Sequence, residues 1–132
     1  MLLFRDSQPE AYRALSPEER QRLMQRWGAW LDELTAAGQL LHGQPLEQRG
    51  CVVSGAAGGL VTDGPFAESK EGVGGYFLLS VRDFAEAVAI AKQCPSLPLG
   101  LSVEVRPVAE FSPNLTELRG RPAVPGNEPL HP

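Results

Sequence analysis

Apolar residues along this chain follow two rhythms, and the longer one dictates a helix. Leu23, Trp27, Trp30, Leu31 and Leu34 recur at steps of 4, 3, 1 and 3 residues, which lays them along one stripe of an α-helix. Its start is spelled out: Ser16 at the N-cap, Pro17 at the first helical position, and Glu19 placed to reach back and close a capping box. Gly38 supplies the left-handed residue that stops it. At about 1.5 Å per residue such a helix is ~30 Å long, enough to cover a sheet face.

The second rhythm is alternation over short runs. Leu2 to Arg5, Leu40 to Gly43, Gly50 to Ser54, Leu60 to Thr62, Gly75 to Val81 and Ser102 to Val108 read as strands. Gly55 to Gly59 is a hairpin turn: it precedes a strand and lacks the Gly-Lys-Ser/Thr ending of a phosphate loop. Asp83 caps a second helix with Glu86 as its box partner, Phe84, Ala87, Val88 and Ala91 line one face, and Pro95 ends it. Asp6 to Leu15 is polar, carries Pro9, and reads as a connection.

Without the hairpin the order is βαββαβ, an α+β chain of ferredoxin-like arrangement: an antiparallel sheet with both helices on one face and the other face bare. Phe77, Leu79 and Val81 then meet the helices, while Tyr76, Leu78 and Ser80 point away. Val103 and Val105 face inward, and Glu104 and Arg106 share the bare side. A face carrying Tyr, Leu, Glu and Arg is too mixed for plain solvated surface. Two such faces packed about a two-fold axis enclose a partly polar cavity.

Composition narrows the partners. A chain of 132 residues is one domain, and a formal net charge of −4 argues against a nucleic-acid backbone as partner. No apolar run approaches the ~18 residues that span a bilayer, and Met1 to Phe4 is ended at once by Arg5 and Asp6, so neither membrane nor signal peptide is expected. The expected location is cytoplasmic, where Cys51 and Cys94 are reduced thiols. Two cysteines without C-x-x-C spacing and two histidines, one of them near the end, make a poor metal set; neither metal nor cofactor is expected. From residue 110 on, Pro113, Pro122, Pro125, Pro129 and Pro132 interrupt every run. The expected organisation is therefore a domain over 1–109 and a Pro-rich tail over 110–132.

Candidate chemistry gathers around the bare face. Asp63, before Gly64-Pro65, is either a turn residue accepting local N–H groups or a general acid/base at the cavity mouth. Lys70 and Glu71 are either solvated loop charges or an anion holder and a proton shuttle, on a segment that Gly72, Gly74 and Gly75 make an adjustable wall. Glu104 and Arg106 are either a surface ion pair or, with Arg5, a carboxylate-binding end of the cavity. The expected site is thus Asp63 as the proton-exchanging group, with Arg5, Lys70, Glu71, Gly74, Gly75, Tyr76, Glu104 and Arg106 around the ligand. His42 reads as a partly exposed strand histidine, and both cysteines as packing residues.

The run Val61-Thr62-Asp63-Gly64-Pro65-Phe66-Ala67-Glu68-Ser69-Lys70-Glu71-Gly72-Val73-Gly74-Gly75-Tyr76 leads into a strongly apolar strand. With Glu86-Ala87, Cys94-Pro95 and Ser102-Val103-Glu104-Val105-Arg106-Pro107, it resembles the DGPF branch of the YCII-related family, over roughly residues 2 to 109. That resemblance implies a homodimer of dimeric α/β-barrel type. It implies a small-molecule-binding protein, with lyase- or isomerase-like acid/base chemistry on a small anionic substrate as one outcome. The other is a non-catalytic regulatory module associated with extracytoplasmic-function sigma factors. Whether the chain is an enzyme stays open at this point. The wider group carries a histidine paired with an aspartate, in a segment that does not align with Leu41-His42-Gly43, so that role does not pass to His42.

Overall fold

The computed structural model describes residues 1–6, 9–64 and 72–114. Strand β1 (Leu2–Asp6) leads through a short helix, α1 (Pro9–Arg13), into the long helix α2 (Pro17–Ala36). Strands β2 (Leu40–Pro45), β3 (Gly50–Ser54), β4 (Leu60–Gly64) and β5 (Gly72–Leu79) follow. Helix α3 (Phe84–Ala91), a single 3-10 turn (Leu97–Leu99) and β6 (Ser102–Val105) complete the described order. The main sheet runs β2-β5-β1-β6 with every pairing antiparallel, the ferredoxin-like strand order, and β3-β4 is a separate two-stranded sheet. The expected α+β fold is the observed one.

Local chemistry explains why α2 starts and stops where it does. The Ser16 hydroxyl accepts from the Glu19 N–H at 3.1 Å, and the Glu19 carboxylate accepts from the Ser16 N–H at 2.9 Å. That second bond holds the Glu19 carboxyl below the ordinary carboxylate range. At the far end Gly38 takes a left-handed φ of 70°, and the Gln39 N–H bonds the Leu34 carbonyl at 2.9 Å. Asp83 caps α3 by accepting from the Glu86 N–H at 2.8 Å. The Glu86 carboxylate, expected to bond back, is instead held by Arg82 at 2.6 Å and Gln39 at 3.1 Å. Arg82 chiefly accounts for its lowered pKa.

One core binds the layers together. Leu2 and Phe4 of β1, Phe77 and Leu79 of β5, Trp30 and Leu34 of α2, and Ala87, Ile90 and Ala91 of α3 are buried against one another. Both helices therefore cover the same sheet face. Phe4 meets Phe77 edge to face at 4.9 Å and Trp27 at 5.3 Å, a geometry worth about 0.5–1.5 kcal/mol per pair beyond the area buried.

Three expectations are corrected. The connection after β1 contains a helix, Pro9–Arg13. The buried face of α3 is Ala87, Ile90 and Ala91. Phe84 is turned out and half exposed, since the rotation of α3 is set by the core that Ala87, Ile90 and Ala91 enter. The Gly72 to Gly75 segment is no hinge. It is the first half of β5, paired to β1 on one side, with Gly75 also paired to β2 on the other. The glycines serve close approach: a Cβ on Gly75 would lie 3.0 Å from the Gln44 carbonyl oxygen and 3.3 Å from Pro45 Cα. Gly74 is the extra residue of a β-bulge, because Phe4 pairs with Gly75 while Arg5 pairs with Val73.

Candidate functional site

The sheet face opposite the helices is built in rows by the strand register. Leu3 pairs with Tyr76 on one side and Glu104 on the other, and Gln44 pairs with Tyr76, so these four side chains form one row across the sheet. His42 pairs with Leu78 one row away. Arg106 and Met1 exchange backbone hydrogen bonds of 2.9 and 2.6 Å at the same end of the sheet.

Charge on this face is arranged around Glu104. Arg5 directs both Nε and Nη2 onto Glu104 Oε1, each at 2.8 Å, with both side chains about two-thirds covered. The other oxygen, Oε2, faces Arg106 Nε at a looser 3.6 Å. Arg106 is 68% exposed. One carboxylate thus stands between two guanidiniums, a local excess of positive charge on the open face. At the end of the sheet, reaching in toward α3 rather than lying on the open face, a depression of about 110 Å³ beside Arg106 is walled by Leu79, Val81, Phe84, Ala87 and Val105 together with Leu41 and Leu78.

The expected site residues divide between two sheets. Arg5, Glu104, Arg106 and Tyr76 share the open face, with Gly74 and Gly75 in the strand beneath. Asp63 lies elsewhere: it is exposed, within β4 and opposite Cys51 in the β3-β4 hairpin. Lys70 and Glu71 lie outside the described residues.

Sequence reasoning missed a contact. The Tyr76 hydroxyl and His42 Nδ1 stand 2.6 Å apart, the rings tilted 37° with centroids at 5.5 Å. The pair forms because a bulge between Leu40 and His42 turns the His42 side chain to the open face, diagonal to Tyr76. Nothing in the spacing of the two residues announces it.

A second polar group lies on the helix side. Ser96 is 1% exposed and accepts from Trp27 Nε1 at 2.8 Å. Burial pushes the Tyr12 phenol up, opposed by its hydrogen bond with Ser96 and reinforced by the Asp6 charge. Burial likewise pushes the Cys94 thiol up to about 11. The cluster ties α2 to the turn after α3 and reads as structural. Among the described residues no three His, Cys, Asp or Glu side chains gather as a metal site requires. No helix among them is long and apolar enough to cross a membrane.

Comparison with known proteins agrees with the architecture. The model of the YCII-related domain matches residues 1–112. An uncharacterised protein of Rhizobium meliloti (strain 1021) is 33% identical over 104 residues, covering 76% of this chain and 84% of that protein.

Proposed function

The chain belongs to the YCII-related family, and from that premise we propose that it is a cytoplasmic homodimer of the DGPF branch whose open sheet faces bind a small anionic molecule. One observation carries this reading: Arg5 and Arg106 share the single carboxylate of Glu104, and Arg106 keeps most of its side chain exposed at the end of the open face. A planar guanidinium with unspent donors is the preferred partner of a carboxylate or phosphate. Arg106 contacts the anion, and Arg5 holds Glu104 in place. Tyr76 and Leu3 form the floor.

Acid/base chemistry of lyase or isomerase type enters this reading through Asp63. Because Asp63 belongs to the hairpin sheet, we assign it to a site completed by the second copy, whose hairpin crosses the open face. Lys70 and Glu71 belong to the same proposal through their place in the chain just before β5. The exposed aliphatic residues of the hairpin also favour a second reading, a non-catalytic module that docks a regulatory protein such as a sigma factor.

Titration of the ¹⁵N-labelled protein with small carboxylates and inorganic phosphate at fixed ionic strength tests the binding reading. The expected result is saturable shifts at Arg106 and Leu78, lost in Arg106→Gln and kept in Arg82→Gln. Equal shifts in both variants sink the assignment to Arg106. Asp63→Asn then separates the two readings, abolishing turnover in the first and leaving partner binding intact in the second.

A further inference from the structure

Arg106 is one end of a row that crosses the whole sheet. It is bonded to Met1, the pairing of Leu2 with Phe77 sets Met1 beside Leu78, and Leu78 is paired with His42. With neighbouring strands about 4.8 Å apart, this row measures ~14 Å from β6 to β2. A guanidinium stands at one end, two apolar side chains lie between, and an imidazole stands at the other. Tyr76, in the adjoining row, occupies His42 Nδ1 at 2.6 Å. Among the described residues nothing else hydrogen-bonds to the His42 ring, so Nε2 is the nitrogen left to face a molecule lying along the row. A tyrosine hydroxyl both donates and accepts, so Tyr76 supports either tautomer of His42 and lets Nε2 give or take a hydrogen bond.

We propose that His42, positioned by Tyr76, is the hydrogen-bonding end of the open-face site, and that the ligand is a carboxylate with an apolar middle and a hydroxyl or carbonyl group at its far end. This rests on the reading that Arg106 holds an anion. The carboxylate lies on Arg106, the chain packs over Met1 and Leu78, and the distal oxygen meets His42 Nε2. A ligand ending in hydrocarbon would cover the imidazole without satisfying it, and a polar group covered that way costs more than the contact returns. The plainer role for the Tyr76–His42 pair is a cross-strand tie that fastens edge strand β2 to β5.

The test uses the full chain and three probes of one length: ω-hydroxyhexanoate, hexanoate and hexanol, followed through the His42 imidazole nitrogens by NMR. The expected result is that ω-hydroxyhexanoate binds on the order of tenfold more tightly than hexanoate, the worth of one hydrogen bond, and shifts His42 Nε2. His42→Gln and Tyr76→Phe should each erase that preference. Hexanol should bind weakest in the native protein. Equal affinity for the two carboxylates, or a preference that survives His42→Gln, overturns the proposal. If hexanoate still binds through Arg106 in that case, the anion reading stands and only the His42 role falls. If neither carboxylate binds, both fall.

Discussion

Trp27 donates its indole N–H to the Ser96 hydroxyl at 2.8 Å, and this one bond fastens the long helix α2 to the turn that follows α3. Ser96 opens the 3-10 turn Leu97–Leu99, its carbonyl accepting from the Leu99 N–H at 3.0 Å, and is almost fully buried, while Trp27 packs edge to face on Phe4 and Trp30.

Replacing Ser96 with Ala leaves the Trp27 N–H without its acceptor in a dry setting. The expected loss is about 1–3 kcal/mol, the desolvation cost of an orphaned donor. Trp27→Phe in the Ser96→Ala background removes the orphan as well, so the double variant should be more stable than the sum of the single losses predicts. Urea denaturation of all four proteins measures it. Additive losses would show that the bond contributes nothing specific.

Cys94 makes the protein alkali-sensitive. Its folded thiol is pushed up to about 11, whereas an unfolded cysteine titrates near 8.5. Above about pH 8.5 the unfolded chain sheds this proton while the folded one keeps it, so stability falls as pH rises toward 11 and is fully present below 8.5. Comparison with Cys94→Ala isolates the effect from Tyr12 and the amino terminus, which are common to both proteins. The native urea midpoint should drop more steeply between pH 8 and 10 than that of the variant. A thiol reagent at pH 8 should label exposed Cys51 at once and Cys94 only on unfolding.

Features coded locally were legible in the sequence. Ser16, Pro17 and Glu19 act within one helical turn, so their pattern alone located the start of α2. The alternation through Phe77 and Leu79 likewise assigned the two faces of β5 correctly. What depended on distant chain was not legible. Gly72, Gly74 and Gly75 have the composition of a hinge, and only the passage of Gln44 and Pro45 alongside Gly75 reveals that they serve close packing. The rotation of α3 that buries Ile90 and turns Phe84 out is set by the core it meets. The Tyr76–His42 contact needs a bulge in β2, and Asp63 needed a hairpin register, neither written in nearby residues. Pro122, Pro125, Pro129 and Pro132 lie outside the described residues.

Gly43 is the tightest point in the pairing of β2 with β5. A Cβ there would stand 2.6 Å from Phe77 Cδ1 and 3.0 Å from the Tyr76 carbonyl oxygen. The Phe77 ring has no room to retreat, lying 4.9 Å from the Phe4 ring and 5.3 Å from that of Trp30. Gly43→Ala should therefore destabilise by about 1–3 kcal/mol, as overpacking of a filled core does. Phe77→Leu in the same chain frees the space and should recover part of the loss. Failure to recover would place the strain at the Tyr76 carbonyl instead.

The hairpin gives the test of self-association. Val53 and Val61 are paired directly across β3 and β4, so they share a face, and each is 61% exposed. Val52 and Leu60, on the opposite face, are 47% and 63% exposed. A two-stranded sheet standing apart is marginal in water, and one with aliphatic side chains on both faces gains most by packing on something apolar. The half-covered Leu3, Tyr76 and Leu78 of the open sheet are such a surface in a second copy. Charged residues at Val53 and Val61 should cost the monomer little, because neither side chain is buried within its own chain. Between two copies they would forfeit about 1.5–3 kcal/mol for each valine fully buried, before the cost of desolvating the new charges. Light scattering across a concentration series should therefore give a dimer mass for the native chain and a monomer mass for Val53→Lys/Val61→Lys at an unchanged circular dichroism spectrum. A native monomer at micromolar concentration would remove the homodimer from the proposed function. A dimer that survives both lysines would assign the hairpin to another partner and the interface to the open sheet alone.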